Sequence, residues 1–388
     1  MSFTWRTYKV KKDDTLQSVA KELGISIETL KWHHNNYCPH EDLLKNDITH
    51  QKELIIPDDP KDTKTGTNTN ALKKQKNIVF SSNNGLFYNP TKTSCRYGVM
   101  ITIINEEEQN EIKYEASVKW IQKFEDCHIF EINHISKPFI NQEEIHNIAD
   151  TLAYETSKVL YPMHLMIDEK GNWEQVAKYT AYPKRWEIVK NETLQNFEGE
   201  TVEKYFQEIE KVLENPEKIN TYMLEDYFLR TLFLGYCFEY EKNFKTERYI
   251  TFPITNHHTE PSYKIQAEID PYLNEYNFIN ITFQGILHDS RTKADFINEN
   301  HYPSEENQEN EKATGEFFLK ALLDPNSSVP DSIYLECSIS LDKTKKISVL
   351  ISDISNKEIP YVHKSSNLLV DEKTTNNKKK GFWGNLFK

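Results

Sequence analysis

The stretch YKVKKDDTLQSVAKELGISIETLKWHHN, residues 8–35, followed after a polar interval by ELIIP, residues 53–57, carries the pattern of a complete small fold. Asp14 can accept a hydrogen bond at a helix N-cap, with Gln17 three residues on. Leu16, Val19, Ala20 and Leu23 then recur at i, i+3, i+4 and i+7, which makes one apolar face over about two turns. Gly24 falls where a helix end takes a left-handed residue, and Ser26 can cap a second helix with Ile27 and Leu30 on one side. Helices this short are marginal alone. They need the sheet that Tyr8–Val10 and Leu54–Ile56 would form, and Pro57 ends it because proline has no N–H to donate.

A βααβ order with Asp-Thr-Leu at 14–16 after the first strand resembles the LysM module, a family best known for binding N-acetylglucosamine polymers such as peptidoglycan and chitin. The resemblance covers about residues 7–57, within a LysM domain at 1–58. It implies a sugar groove between the loop after the first strand and the loop before the second. On this chain the groove falls on Asp14, Thr15 and Leu16 on one side and on Asp47, Ile48, Thr49, His50 and Gln51 on the other. Family sequences usually place glycine where Asp13 stands and again at about Gln51, and the connection from Asn35 to Ile48 is longer than usual.

A chain of 388 residues normally makes two or three domains. Its net charge of −13 argues against a general nucleic-acid surface, which wants clustered Lys and Arg. The opening MSFTWRTYKVKK has no apolar core of a signal peptide, and no apolar run approaches a membrane span. Five widely spaced cysteines, Cys38, Cys95, Cys127, Cys237 and Cys337, fit a reduced compartment better than a disulfide framework. The expectation is a cytoplasmic protein, or one exported by a route that does not use a Sec signal peptide.

The remainder reads as α+β. Residues 59–77 are polar and form a linker; an antiparallel-sheet domain of unrecognised family follows over 78–362, with a helical insertion at about 182–234. Ile112, Tyr114, Ala116, Val118 and Trp120 alternate with polar residues, as a strand with one wet face would. The same period marks Tyr263–Ile269, Ile279–Leu287 and Ile333–Leu341, the last joined through DKTKK to Ile347–Ile351. Met163–Asp168 pairs with Trp173–Lys178 as a hairpin. Asn141 with Glu144 reads as a capping box ahead of a stripe at Ile145, Ile148, Ala149, Leu152 and Thr156. Val202 to Leu213 gives a helical face ended by Pro216, and Tyr222 to Leu234 reads as one buried helix.

Catalytic patterns are absent: no Gly-rich phosphate loop, no Gly-x-Ser-x-Gly elbow, no His-Glu-x-x-His helix. No enzyme activity and no cofactor are expected. His33, His34, Cys38 and His40 could in principle supply zinc ligands, but the better reading has His34 at the helix end and Cys38 packed as a small hydrophobe. Tyr182 and Trp186 suit a helix packing an aromatic face on the sheet. Residues 363–388 form a spacer and a basic aromatic tail whose Phe382, Trp383, Leu386 and Phe387 suit a partner groove.

Two functions follow. One is a non-enzymatic protein that recognises peptidoglycan or another N-acetylglucosamine polymer and presents its large domain to a partner. The other is a structural or adaptor component of a contractile injection apparatus, of type VI secretion or phage-tail kind, docking LysM on tube, spike or baseplate proteins.

Overall fold

The computed structural model describes residues 6–38, 42–44, 47–56, 76–81, 84–106, 108–255, 259–274, 276–304 and 311–355. The N-terminal unit runs β1 (Thr7–Lys9), α1 (Leu16–Leu23), α2 (Ile27–Tyr37) and β2 (Glu53–Ile55). Its strands pair antiparallel with Tyr8 opposite Leu54, one residue earlier at each strand start than the sequence suggests. Leu16, Val19, Ala20, Leu30, Leu44, Ile48, Leu54 and Ile56 form its core. Gly24 takes the left-handed C-cap at φ 70°, and Ser26 caps α2. The N-cap of α1 is Thr15 and not Asp14: Ser18 N donates to Thr15 Oγ1 (3.1 Å) and Thr15 N donates to Ser18 Oγ (2.9 Å). The reciprocal box is therefore built one residue later, with Ser18 in the place expected of Gln17.

The large unit contains β3 (Ser94–Asn105), β4 (Glu108–Phe124), β5 (Cys127–His134), β6 (Phe139–Ile140), β7 (Glu143–Glu144) and α3 (Ile148–Ser157). A hairpin of β8 (Met163–Ile167) and β9 (Trp173–Ala177) follows, then α4 (Tyr182–Thr193), α5 (Glu200–Leu213), α6 (Pro216–Met223) and α7 (Tyr227–Leu232). The chain closes with β10 (Lys245–Thr251), β11 (Ser262–Ile269), β12 (Ile279–Leu287), α8 (Lys293–Ile297), β13 (Glu316–Leu323), β14 (Pro330–Ser340) and β15 (Thr344–Asp353). The fold is α+β, as expected. The strands of this unit join one 13-stranded antiparallel sheet in the order β10-β11-β12-β13-β14-β15-β3-β4-β5-β8-β9, with β6 pairing β4 and β7 pairing β6. The last strand returns to pair with β3, so the meander from β10 to β15 and the meander from β3 to β9 share one sheet.

One face of that sheet carries the core. Tyr97, Val99 and Ile101 of β3 lie beside Val349 and Ile351 of β15, and α7 lies across them. Tyr182 and Trp186 of α4 are buried, and the Trp186 ring meets Phe206 of α5 edge-on (5.3 Å).

Several local expectations need correction. Residues 139–144 are two short strands, and the helix begins at Ile148 under an Asn147 cap, whose side chain accepts from Asp150 N. Ile148 is 76% exposed and so lies off the buried stripe. Pro216 opens α6 at its first turn, where its missing N–H costs nothing, after α5 has already ended. The segment 222–234 holds the end of α6, with its C-cap at Leu224, and a separate α7 capped by Asp226. In β4 the polar face is not wet throughout. Lys113 and Glu115 are buried, Lys113 paired with Glu111 (3.0 Å) and Glu115 accepting from Arg96 Nε (2.7 Å).

The LysM-like unit packs on the opposite face of the same sheet. Met100 of β3 and Leu350 of β15 are cross-strand partners pointing away from the main core, and Cys38 and Leu43 cover them, with Ile55 and Tyr334 beside. Trp32 of α2 stacks on Tyr276 (centroids 4.3 Å apart) and its Nε1–H donates to Asp331 Oδ2 (3.1 Å). Trp32→Ala removes a stacked ring pair and a hydrogen bond to a carboxylate, a loss of about 2–3 kcal/mol. Differential scanning calorimetry should show the module melting ahead of the sheet in the variant and with it in the native chain. Identical traces would mean that this contact does not hold the two units together.

Candidate functional site

The groove inferred from the sequence is positioned by the β1–β2 register. Lys9 faces Glu53, and Val10 N donates to Lys52 O (3.0 Å), so the loop leaving β1 and the loop entering β2 lie at the same end of the two-stranded sheet. The first loop is a preset turn. Asp14 Oδ2 accepts from Lys11 N (2.8 Å) and from Tyr8 Oη (3.0 Å), and Thr15 spends its hydroxyl on the α1 cap while the residue stays exposed.

The second loop is equally shaped. Asp47 Oδ1 accepts from Thr49 Oγ1 (3.0 Å), and Gln51 N closes a turn on Ile48 O (3.0 Å). Asp47, Thr49 and His50 are exposed, and Gln51 is half-buried with its Nε2 donating to Asp42 O (3.0 Å). Leu16 and Ile48 do not face the groove as side chains: at 2% and 1% exposure they belong to the module's core. The polar candidates thus share one end of the module, while the two apolar ones hold the loops from beneath.

Asp13 and Gln51 occupy the positions where the family usually has glycine. Neither has a positive φ, so a side chain at either position carries no left-handed strain. The altered loops therefore close without the glycines.

The long connection between α2 and β2 is pinned from α2. Asn35, buried, receives Leu44 N on its Oδ1 (2.7 Å) and donates Nδ2 to Leu44 O (3.0 Å). His34 Nδ1 accepts from Ile55 N (2.9 Å), which leaves the proton on Nε2 to reach Asp42 O (3.1 Å). Burial lowers the His34 pKa to about 4, which keeps it the neutral imidazole this arrangement requires. With both ring nitrogens engaged, His34 has no lone pair for a metal. Cys38 packs against Met100 and Leu350, and His40 lies outside the described residues. No cluster of three metal-ligating side chains occurs among the described residues.

The tail residues Phe382, Trp383, Leu386 and Phe387 and the linker residues 59–75 also lie outside the described residues. No described helix is long and apolar enough to cross a membrane. What sequence reasoning missed is the second face of the module, where Trp32 meets the sheet. The signal was a tryptophan among polar α2 neighbours, facing away from Leu30 and the module's own core.

The LysM domain family model matches residues 8–31. No curated protein matches the chain. Among solved structures, a chain described as lipid-protein interactions in lipovitellin is similar at 9% identity and a TM-score of 0.37, over 67% of this chain and 25% of that one. This chain spans about a quarter of that one's length, and a likeness this low carries no argument. The family match ends within α2, and the paired β2 completes the βααβ order beyond it: the N-terminal unit of this chain is a LysM module.

Proposed function

We propose that this chain is a non-enzymatic binding protein that recognises an N-acetylglucosamine polymer through its LysM groove and presents the large α+β unit to a partner. The observation that carries this reading is the division of the module's surface. Its α2 side is spent on the sheet, while Asp47, Thr49, His50 and Thr15 stay exposed around the groove. Preset turns on both loops also favour binding, because little ordering remains when a ligand arrives. Replacing Thr49 and His50 together by alanine touches exposed positions outside the module's core. Isothermal titration with chitohexaose should then show affinity at least about tenfold weaker, the value of one or two lost polar contacts. Absence of heat at saturating chitohexaose with the native chain would remove the reading.

A second reading draws on the same docking. A LysM face that buries Cys38, Leu43 and Trp32 against protein in one chain supports use of the module for protein docking, as in an injection apparatus. That reading expects co-purification with tube, spike or baseplate proteins, and a chain recovered only with cell-wall fragments counts against it.

A further inference from the structure

Where the LysM module meets the sheet, a cleft of about 250 Å³ opens between the start of α2 and the outward-facing residues of β12 and β13. This is below the about 300–1,000 Å³ of sites for drug-sized ligands and suits one sugar ring. Its apolar wall is the stacked pair of Trp32 and Tyr276, extended by Leu322. Its polar wall has Asn274, Asn280 and Lys320, of which Asn274 and Lys320 have unused capacity among the described residues. Asn274 spends its Oδ1 on Tyr276 N (3.0 Å) and Phe278 N (2.9 Å), which leaves its amide N–H groups. Asn280 shapes the wall, its Nδ2 donating to Asp270 Oδ2 (2.5 Å) and its Oδ1 enclosed. Lys320 is the single cation lining the cleft, set between Thr282 and Tyr334 in the strand register, and makes no ion pair among the described residues.

We propose that this cleft is a second saccharide site that takes an N-acetylated sugar ring bearing one carboxylate. An aromatic wall takes the apolar face of a pyranose, planar amides match hydroxyl and acetamido groups that both donate and accept, and one lysine matches one carboxylate. A phosphomonoester carries about −1.5 to −2, and the cleft has one lysine to meet it. On a chain of net charge −13, a lysine in the cleft also attracts an anion against the net repulsion. The sugar class rests on the glycan reading above; the carboxylate rests on Lys320 alone. The muramic unit of peptidoglycan has this chemistry, and the neutral units of chitin do not.

The test uses the full chain, titrated calorimetrically with the disaccharide of N-acetylglucosamine and N-acetylmuramic acid and, separately, with chitobiose and chitohexaose. The native chain should prefer the acidic disaccharide to chitobiose by about tenfold, the value of one charge-assisted hydrogen bond. Lys320→Gln should erase that preference and leave chitohexaose binding unchanged. Lys320→Arg should keep the preference, and the paired alanine substitutions at Thr49 and His50 should also leave it in place. An unchanged affinity of Lys320→Gln for the acidic disaccharide, or no preference in the native chain, overturns the proposal. Loss of chitohexaose binding with the acidic preference intact removes the groove reading and leaves this site standing.

Discussion

Phe228→Ala is expected to destabilise the large unit by about 3–5 kcal/mol, as truncating a fully buried aromatic does. Phe228 sits on α7, the helix laid across β14, β15 and β3, and its ring meets Tyr97 (6.3 Å) and Tyr114 (6.1 Å) edge-on. Those tyrosines are on β3 and β4, so Phe228 links α7 to the middle of the sheet where its two meanders join. Alanine there leaves a cavity that neither strand can close, because both are held by neighbours on each side. Urea unfolding followed by tryptophan fluorescence should show the midpoint fall with little change in slope. A loss below about 1 kcal/mol would show that α7 does not brace the sheet.

Asp226→Asn is expected to do the opposite at neutral pH, raising stability by about 1–2 kcal/mol. The carboxyl caps α7, accepting from Leu229 N (2.8 Å), and an asparagine oxygen can do the same. What asparagine lacks is the charge. Burial, only partly offset by hydrogen bonds from Leu229 and Phe228, raises the Asp226 pKa from 3.8 to about 6. The full shift would be worth about 3 kcal/mol, reduced here because part of the residue reaches solvent.

The sign follows from proton counts. Between pH 4 and 6 the folded chain holds a proton on Asp226 that the unfolded chain has released, so this group favours the fold at low pH and the benefit disappears as pH rises toward 6. His34 and His134 act in the other direction. Burial lowers both to about 4, so their contribution is complete above 6.5 and is lost as pH falls toward 4. In the native chain Asp226 offsets part of that acid loss. The asparagine variant should be more stable at pH 7 and fall more steeply on acidification. Parallel stability curves for the two chains from pH 4 to 7 would show that Asp226 does not titrate as described.

Much of this architecture was legible from local pattern. Gly24 and Ser26 mark the α1–α2 turn, and the single-faced alternation of β11, β12 and β14 marks those strands. The pattern fails where two partners compete for one residue. Asp14 and Thr15 are both good caps, and the Lys11 turn captures Asp14, which leaves Thr15 to the helix. Pro216 reads as a stop after α5 or as a first helical residue, and only the Asn215 side chain, accepting from Glu217 N (2.9 Å), decides for the second. Docking of the module was written less openly. Its trace is the doubly apolar run through Val99, Met100 and Ile101 and through Val349, Leu350 and Ile351, where a sheet covered on one face would alternate. The candidate groove was placed by family resemblance. Its loops carry no pattern of their own beyond turn residues, and Leu16 and Ile48 could not be told from ligand contacts without the burial that makes them core.

The central claim is that the LysM module faces glycan with one surface and the sheet with another. Amide chemical shifts of the full chain titrated with chitohexaose test it directly. The account expects saturable changes centred on residues 13–15 and 47–51, with Cys38 and Leu43 unmoved. Changes centred on Cys38 and Leu43, or none at saturating sugar, would contradict it.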